Sequence, residues 1–238
     1  MFYKTRSMPQ LMLLKNPDSE MNNTRALERE QMVNTQIKAR GIANPRVLNA
    51  MKTVPRHLFV PHAYEKEAYG DYPLPIGNGQ TISQPYIVAV MTDLLNPSPG
   101  EKILEIGAGS GYQAAILVQC GVEVITIERI SPVASQAKEN LNRAGIDNIC
   151  IITGDGTLGF PDKSPYDGIL ITAAAPEIPI PLKDQLVEGG RIVAPVGDRY
   201  IQVLTRIRRI NNEFFTERFG AVRFVPLIGE YGWREERE

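Results

Sequence analysis

The stretch Glu105-Ile106-Gly107-Ala108-Gly109-Ser110-Gly111 places glycines at 107, 109 and 111, directly after an apolar run. Without a Cβ, glycine lets the main chain turn sharply and approach a ligand closely. In open α/β sheets, ligands bind beyond the carboxyl ends of strands, and a loop of this kind sits there. A dinucleotide fingerprint would want Gly or Ala at position 112, where Tyr112 stands. Glu128 closes the next predicted strand. A carboxylate there can accept hydrogen bonds from both hydroxyls of an adenosine ribose; the blander alternative is a solvated surface acid. Gly154-Asp155-Gly156 closes the third predicted strand. Asp155 with Gly156 could take an adenine amino group, although an Asp between glycines is also an ordinary turn former. These three strand ends suit a nucleoside that carries a cation and no phosphate. No lysine of the phosphate-loop type is present, and Glu105 beside the loop would oppose a pyrophosphate and welcome an ammonium or a sulfonium. S-adenosyl-L-methionine fits this set better than NAD.

Thr81, Ser83 and Gln84 are neutral hydrogen-bonding residues in a Gly- and Pro-rich stretch before an apolar run. Ser83 can donate to a carboxylate and orient it. It could equally cap the helix predicted from Pro85. His57 and His62 are the only histidines, and without clustered Cys or carboxylate partners they predict packing and no metal. Cys120 and Cys150 lie in apolar patterns and are expected as buried free thiols. Arg206, Arg208 and Arg209 are expected on an exposed strand face, where charge blocks edge pairing.

The elements that must hold these residues follow from periodicity and punctuation. Residues 1–25 show no clear period and are expected as a mobile extension, with Met21 a conceivable start. A helix is expected from Ala26 to Arg40, stopped by Gly41. Asn44-Pro45 reads as a cap followed by proline at the first helical position, opening a helix through Met51. Pro73 to Gln84 reads as a loop, and Pro85 to Leu95 as a buried helix. Beyond Pro97, strand and helix signals alternate. Strands are expected at Lys102 to Ile106, Val122 to Ile127, Ile149 to Thr153, Tyr166 to Thr172 and Arg191 to Val196. Helices are expected at Gly111 to Gln119, Ser131 to Ala144 with Ser131-Pro132 as its cap signature, and Leu182 to Val187. Ile201 to Arg208 and Phe214 to Phe219 flank Asn211-Asn212, which predicts a closing hairpin. The alternation predicts an α/β, Rossmann-like, mostly parallel central sheet flanked by helices, with added N-terminal helices. Residues 26–238 would form one domain: 26–95 a helical and substrate-loop part, 96–200 the cofactor-binding core, 201–238 the C-terminal strands.

Length and composition agree. The chain has 238 residues, 43% apolar and 22% charged, enough for one large domain with a core. Lys plus Arg number 26 against 27 Asp plus Glu, which disfavours a nucleic-acid partner held by bulk charge. Leu11-Met12-Leu13-Leu14 is too short for a signal core or a membrane span. A cytoplasmic monomer that engages neither membrane nor nucleic acid is expected.

Several segments carry a resemblance. They are Val54-Pro55-Arg56-His57-Leu58-Phe59-Val60-Pro61, Gly79-Gln80-Thr81-Ile82-Ser83-Gln84-Pro85, the glycine loop, Gly154-Asp155-Gly156, Ala173-Ala174-Ala175-Pro176, Asp184-Gln185-Leu186 with Gly189-Gly190-Arg191, and Phe224-Val225-Pro226-Leu227. In that order, from about residue 30 to Trp233, the chain resembles the protein-L-isoaspartate O-methyltransferases. The glycine loop is common to many methyltransferases; the segments ending at Pro61 and Pro85 are far more specific. The resemblance implies methyl transfer from S-adenosyl-L-methionine to the α-carboxylate of L-isoaspartyl residues in damaged proteins and peptides. The ester would then close to a succinimide, whose hydrolysis returns part of the material as aspartate. It also implies Ser83 as the active-site residue. Cofactor contacts are expected at Thr81, Glu105, Gly107, Gly109, Gly111, Glu128, Asp155 and Gly156, and substrate contacts at Thr81, Ser83, Gln84 and Val225. The alternatives are a small-molecule carboxyl methyltransferase on the same scaffold and a catalytically silent cofactor-binding adaptor. The N-terminal extension departs from the family pattern.

Overall fold

The computed structural model describes residues 17–235. Helix α1 spans Pro17–Met32, so it opens nine residues before the expected Ala26. Residues 1–16 of the expected extension lie outside the described residues. From α1 the chain widens into one π-helical turn, Val33–Ile37, then tightens into one 3-10 turn, Lys38–Arg40, and stops at Gly41 with φ 98°. Helix α2, Pro45–Thr53, starts as its sequence dictates: the Asn44 side chain accepts from the Arg46 amide and Pro45 occupies the first turn.

The expected loop from Pro73 contains a small hairpin. Strand β1, Leu74–Gly77, pairs antiparallel with β2, Gln80–Ile82, in a sheet of its own. Asn78 and Gly79 form its turn at φ 51° and 69°. Both are left-handed, as a two-residue hairpin requires, and Asn-Gly is the pair that tolerates this best. Helix α3, Pro85–Leu95, follows at the expected bounds. Val88, Ala89, Met91, Thr92 and Leu95 are buried on it, and Asn96 ends it in the left-handed region.

The core then alternates β3 (Lys102–Ile106), α4 (Tyr112–Gln119), β4 (Glu123–Glu128), α5 (Ser131–Arg143), β5 (Cys150–Thr153), β6 (Tyr166–Ile171), α6 (Ile180–Asp184) and β7 (Leu186–Gly197). The chain closes with β8 (Gln202–Ile210) and β9 (Glu213–Val222), joined by Asn211 and Asn212, both at left-handed φ. The seven-stranded order is β5-β4-β3-β6-β7-β8-β9. Strands β5 to β7 are parallel and the last two antiparallel. From β3 the chain winds outward to β5, then returns to place β6 on the other side of β3. That reversal opens a crevice at the carboxyl end of β3.

Four further expectations change in the structure. Ser131 does not cap α5: it lies inside the helix, and the preceding Ile130 amide is held instead by Glu128 Oε1 at 3.0 Å. Helix α6 is shorter and earlier than expected, because Leu186 already pairs with Tyr166 as a strand. Cys120 is buried but Cys150 is exposed, being on β5 at the sheet edge. Arg206 and Arg208 do not guard an edge, since β8 is flanked by β7 and β9; both pair with Glu217 across the hairpin.

Candidate active site

The crevice has a volume of about 350 Å³ and is open on one side. One wall rises from the sheet and the other descends from the β1–β2 hairpin. On the sheet side, Gly107, Gly109 and Gly111 all take left-handed φ. Gly107 shows why no other residue fits: at φ 97° a Cβ would lie 2.5 Å from Thr172 Oγ1. Thr172 is itself a wall of the crevice, and its hydroxyl sits 2.9 Å and 2.6 Å from the carbonyls of Ile106 and Gly107. Gly156 supplies a second close approach, where a Cβ would come within 2.4 Å of Ile106 Cγ2. Gly111 is the residue before α4 and stands back from the opening.

Glu128 is buried, so it is no solvated surface acid. Its Oε2 accepts from the Gly109 amide and its Oε1 from the Ile130 amide, each at 3.0 Å. The carboxylate thus locks the glycine loop to the end of β4, and it also faces the crevice. Asn140, buried on α5, braces the same loop from behind by donating to the Ser110 carbonyl at 2.9 Å. Sequence reasoning missed Asn140 and Thr172. Neither belongs to a spaced motif; only the packing of α5 and β6 against the loop shows them.

Glu105 behaves differently. It is fully buried, does not line the crevice, and neither carboxyl oxygen has a hydrogen-bond partner among the described residues. Burial pushes its pKa up to about 8; the nearby Thr126 hydroxyl opposes the rise and the Glu128 charge adds to it. Burial thus favours its neutral form in the ligand-free protein and disfavours the anion expected beside the loop. Asp155 also departs from its expected place. Its Oδ1 accepts from the Thr157 amide and hydroxyl and its Oδ2 from the Glu230 amide, so its carboxylate pins the C-terminal segment and stays off the crevice wall. Gly156, next to it, does line the wall.

That C-terminal segment closes one side. Val225, Pro226, Leu227 and Ile228 line the crevice. Val225 accepts from the Ala174 amide at 2.7 Å, Leu227 donates back to Ala174 at 2.8 Å, and Trp233 Nε1 donates to the same Ala174 carbonyl at 3.0 Å.

Opposite the glycine loop stand Thr81 and Ser83. Neither hydroxyl makes a hydrogen bond to any described residue. Ser83 does not cap α3: Gln84 holds the cap position, with no bond from its own side chain to the helix. Gln84 is not a crevice wall. Its amide Nε2 turns away and donates to Asp71 Oδ2 at 2.7 Å. Among the described residues no three His, Cys, Asp or Glu side chains gather to hold a metal, and no helix is long and apolar enough to cross a membrane. His57 Nδ1 lies 2.7 Å from the Tyr69 hydroxyl, in packing away from the crevice.

The site suits an adenosyl sulfonium. Close backbone approaches at glycines and a buried carboxylate at the end of β4 offer what the nucleoside needs.

Comparison with known proteins bears on the same crevice. The family model "Protein-L-isoaspartate(D-aspartate) O-methyltransferase (PCMT)" matches residues 27–232. The protein-L-isoaspartate O-methyltransferase of Methanospirillum hungatei JF-1 is 67% identical over 213 residues, which cover 90% of this chain and 99% of that one. That of Methanoregula boonei is 58% identical over 209 residues, covering 88% and 96%. A solved protein-L-isoaspartate O-methyltransferase superposes with a TM-score of 0.78 at 29% identity, over 86% of this chain and 67% of that one. A Plasmodium falciparum beta-aspartate methyltransferase structure, in complex with S-adenosyl-L-homocysteine, gives 0.73 at 28% identity over 84% and 98%.

Proposed function

The chain belongs to the protein-L-isoaspartate(D-aspartate) O-methyltransferase family, and we propose how its own residues carry that reaction. It is a repair enzyme that uses S-adenosyl-L-methionine to methylate the α-carboxylate of L-isoaspartyl residues. When bound, the cofactor supplies an electrophilic methyl group on a sulfonium. The acceptor is a carboxylic acid with a pKa near 4, so it arrives ionised and needs no general base. What remains is alignment and exclusion of water. A carboxylate and a cation lose charge as they combine, so a drier crevice favours the reaction.

In this proposal the Gly107–Gly111 loop and Gly156 admit the nucleoside by close backbone approach, and Glu128 accepts from the ribose hydroxyls. Asp155 contributes through the strap it pins rather than by direct contact, a change from the adenine role expected of it. A cation in the crevice would favour the ionised form of Glu105. Ser83 donates its free hydroxyl to the substrate carboxylate and orients it; Thr81 lies beside it. Val225 and Pro226 hold the substrate main chain in an extended form, in the manner of strand addition. The ester product closes when the following backbone nitrogen attacks its carbonyl and methanol leaves, and water then opens the succinimide to aspartate or isoaspartate. The balanced charge, 26 cationic against 27 acidic residues, supports a substrate other than nucleic acid held by bulk charge, and the proposal takes the enzyme as a cytoplasmic monomer that uses no membrane.

The observation that carries the acceptor assignment is that Thr81 and Ser83, whose hydroxyls have no partner among the described residues, line the same crevice as the glycine loop. The test pairs an isoaspartyl peptide with its aspartyl twin, using labelled methyl donor and base-labile methanol as readout. Label entering the isoaspartyl peptide alone is expected. Equal labelling of both peptides, or of neither, would overturn the substrate assignment.

A further inference from the structure

Helix α3 begins two residues after Ser83, and its first-turn amides need an acceptor. The adjoining side chains supply none: Gln84 at the cap makes no bond to the helix and Pro85 has no amide hydrogen. The acceptor comes from Asp71, before the hairpin. Asp71 Oδ1 accepts from the Tyr86 amide at 3.3 Å, and Oδ2 accepts from Gln84 Nε2 at 2.7 Å. A carboxylate at this point also meets the positive end of the helix dipole. Arg40 completes the assembly. Its Nη1 donates to Asp71 Oδ2 at 2.7 Å, and its guanidinium lies 3.3 Å from the centre of the Tyr86 ring.

One carboxylate therefore grips both residues that bracket Pro85, immediately downstream of Ser83. Ser83 has no hydrogen bond of its own to hold its hydroxyl. We infer that Asp71 is a positioning residue for the acceptor side of the reaction. Through Gln84 and the start of α3 it sets where the Ser83 hydroxyl points, without touching substrate or cofactor. This rests on the proposed role of Ser83. The cofactor wall is built from other elements, the ends of β3 and β4, and does not depend on Asp71.

The separation of the two walls gives the test. Asp71→Asn keeps the shape but loses the charge, and puts an amide NH2 where Oδ2 accepts from both Arg40 and Gln84. It is expected to lower kcat on an isoaspartyl peptide by about five- to thirtyfold, up to but not beyond the loss expected when the Ser83 hydroxyl itself is removed. Affinity for S-adenosyl-L-homocysteine should stay within about twofold, because uniform binding is not what is lost. The double variant Asp71→Asn with Gln84→Glu restores the bond with donor and acceptor exchanged, and should recover most of the lost kcat. Three results would overturn the inference: parental kcat in Asp71→Asn, a loss of homocysteine-ligand affinity as large as the loss of kcat, or a double variant no better than the single one. Hydrogen exchange of amides 83–88 in the ligand-loaded protein, measured without peptide, separates this inference from the function it rests on. Asp71→Asn should speed exchange there and the double variant should slow it again. Unchanged exchange in Asp71→Asn would sink the clamp even in an active enzyme.

Discussion

The two walls of the crevice are held by different physics. On the sheet side the main chain bonds to itself: the Gly107 amide donates to Ile127, the Thr172 amide to Ile106 and the Gly154 amide to Glu128. Glu128 and Asn140 then lock the loop from either side. On the hairpin side, β1 and β2 form a two-stranded sheet apart from the main one. That wall is fixed by the buried side chains of Leu74 and Ile82 and by the polar grip of Asp71. A wall tied into a parallel sheet opens only with the sheet, whereas one held by a few side chains can open locally. The difference suits the two tasks. On the proposed assignment, an invariant nucleoside would meet a fixed surface and peptide of varied sequence an adaptable one.

The largest expected effect concerns the depth of the sheet wall. Unfolded, Glu105 titrates at its ordinary 4.5; folded, at about 8. Between those values the folded protein keeps a proton that the unfolded chain has released. The contribution of this group to stability is therefore full below pH 4.5, falls as pH rises, and levels off above about 8. The fall should amount to several kcal/mol at order of magnitude. Urea unfolding of the parent and Glu105→Gln across this interval should show the variant with the flatter profile. Identical profiles would mean that the acid is not buried in this way.

Next, Glu128→Ala strips the acceptor from two loop amides. Leaving buried donors unpaired should weaken S-adenosyl-L-homocysteine binding on the order of a hundredfold, as calorimetry would register. A drop of only a few-fold would make the sheet wall no more rigid than the hairpin. Ser83→Ala should do the converse, cutting kcat about thirtyfold, the worth of one hydrogen bond to a charged group, with ligand affinity unchanged. Equal loss of both would erase the distinction between the walls. The smallest effect belongs to Arg40→Gln. Its ion pair with Asp71 is partly exposed, the side chains being 45% and 24% accessible. It should alter kcat by less than about fivefold, as a solvent-screened pair does.

Sequence alone made the sheet wall legible and the hairpin wall only in part. Pro85–Leu95 and Lys102–Ile106 appear at their expected bounds, since proline, glycine and unbroken apolar runs mark them locally. The hairpin Leu74–Ile82 read as a loop because its strands are three and four residues long, too short for an alternation to emerge beside Pro75 and three turn residues. Thr81 and Ser83 line the crevice as expected and Gln84 does not, because spacing tells nothing of the partner across the chain that turns a side chain away. Glu105 shows the same limit in depth. Its place beside the glycines is written in the sequence, whereas its burial depends on Thr126 and the helices packed over β3. Asp71 could not be found by motif, since its contacts arise only where three chain segments meet, at Arg40, Asp71 and Gln84 to Tyr86.

The strap from Val225 to Trp233 carries a consequence for biosynthesis. A growing polypeptide acquires every strand of the main sheet before it acquires the strap, which bonds to Ala174 and Asp155. A nascent chain can thus have its scaffold while the crevice still lacks a side. A product truncated ahead of Val225 would keep every strand of the main sheet and is expected to bind its cofactor less tightly, since one side of the crevice would be missing.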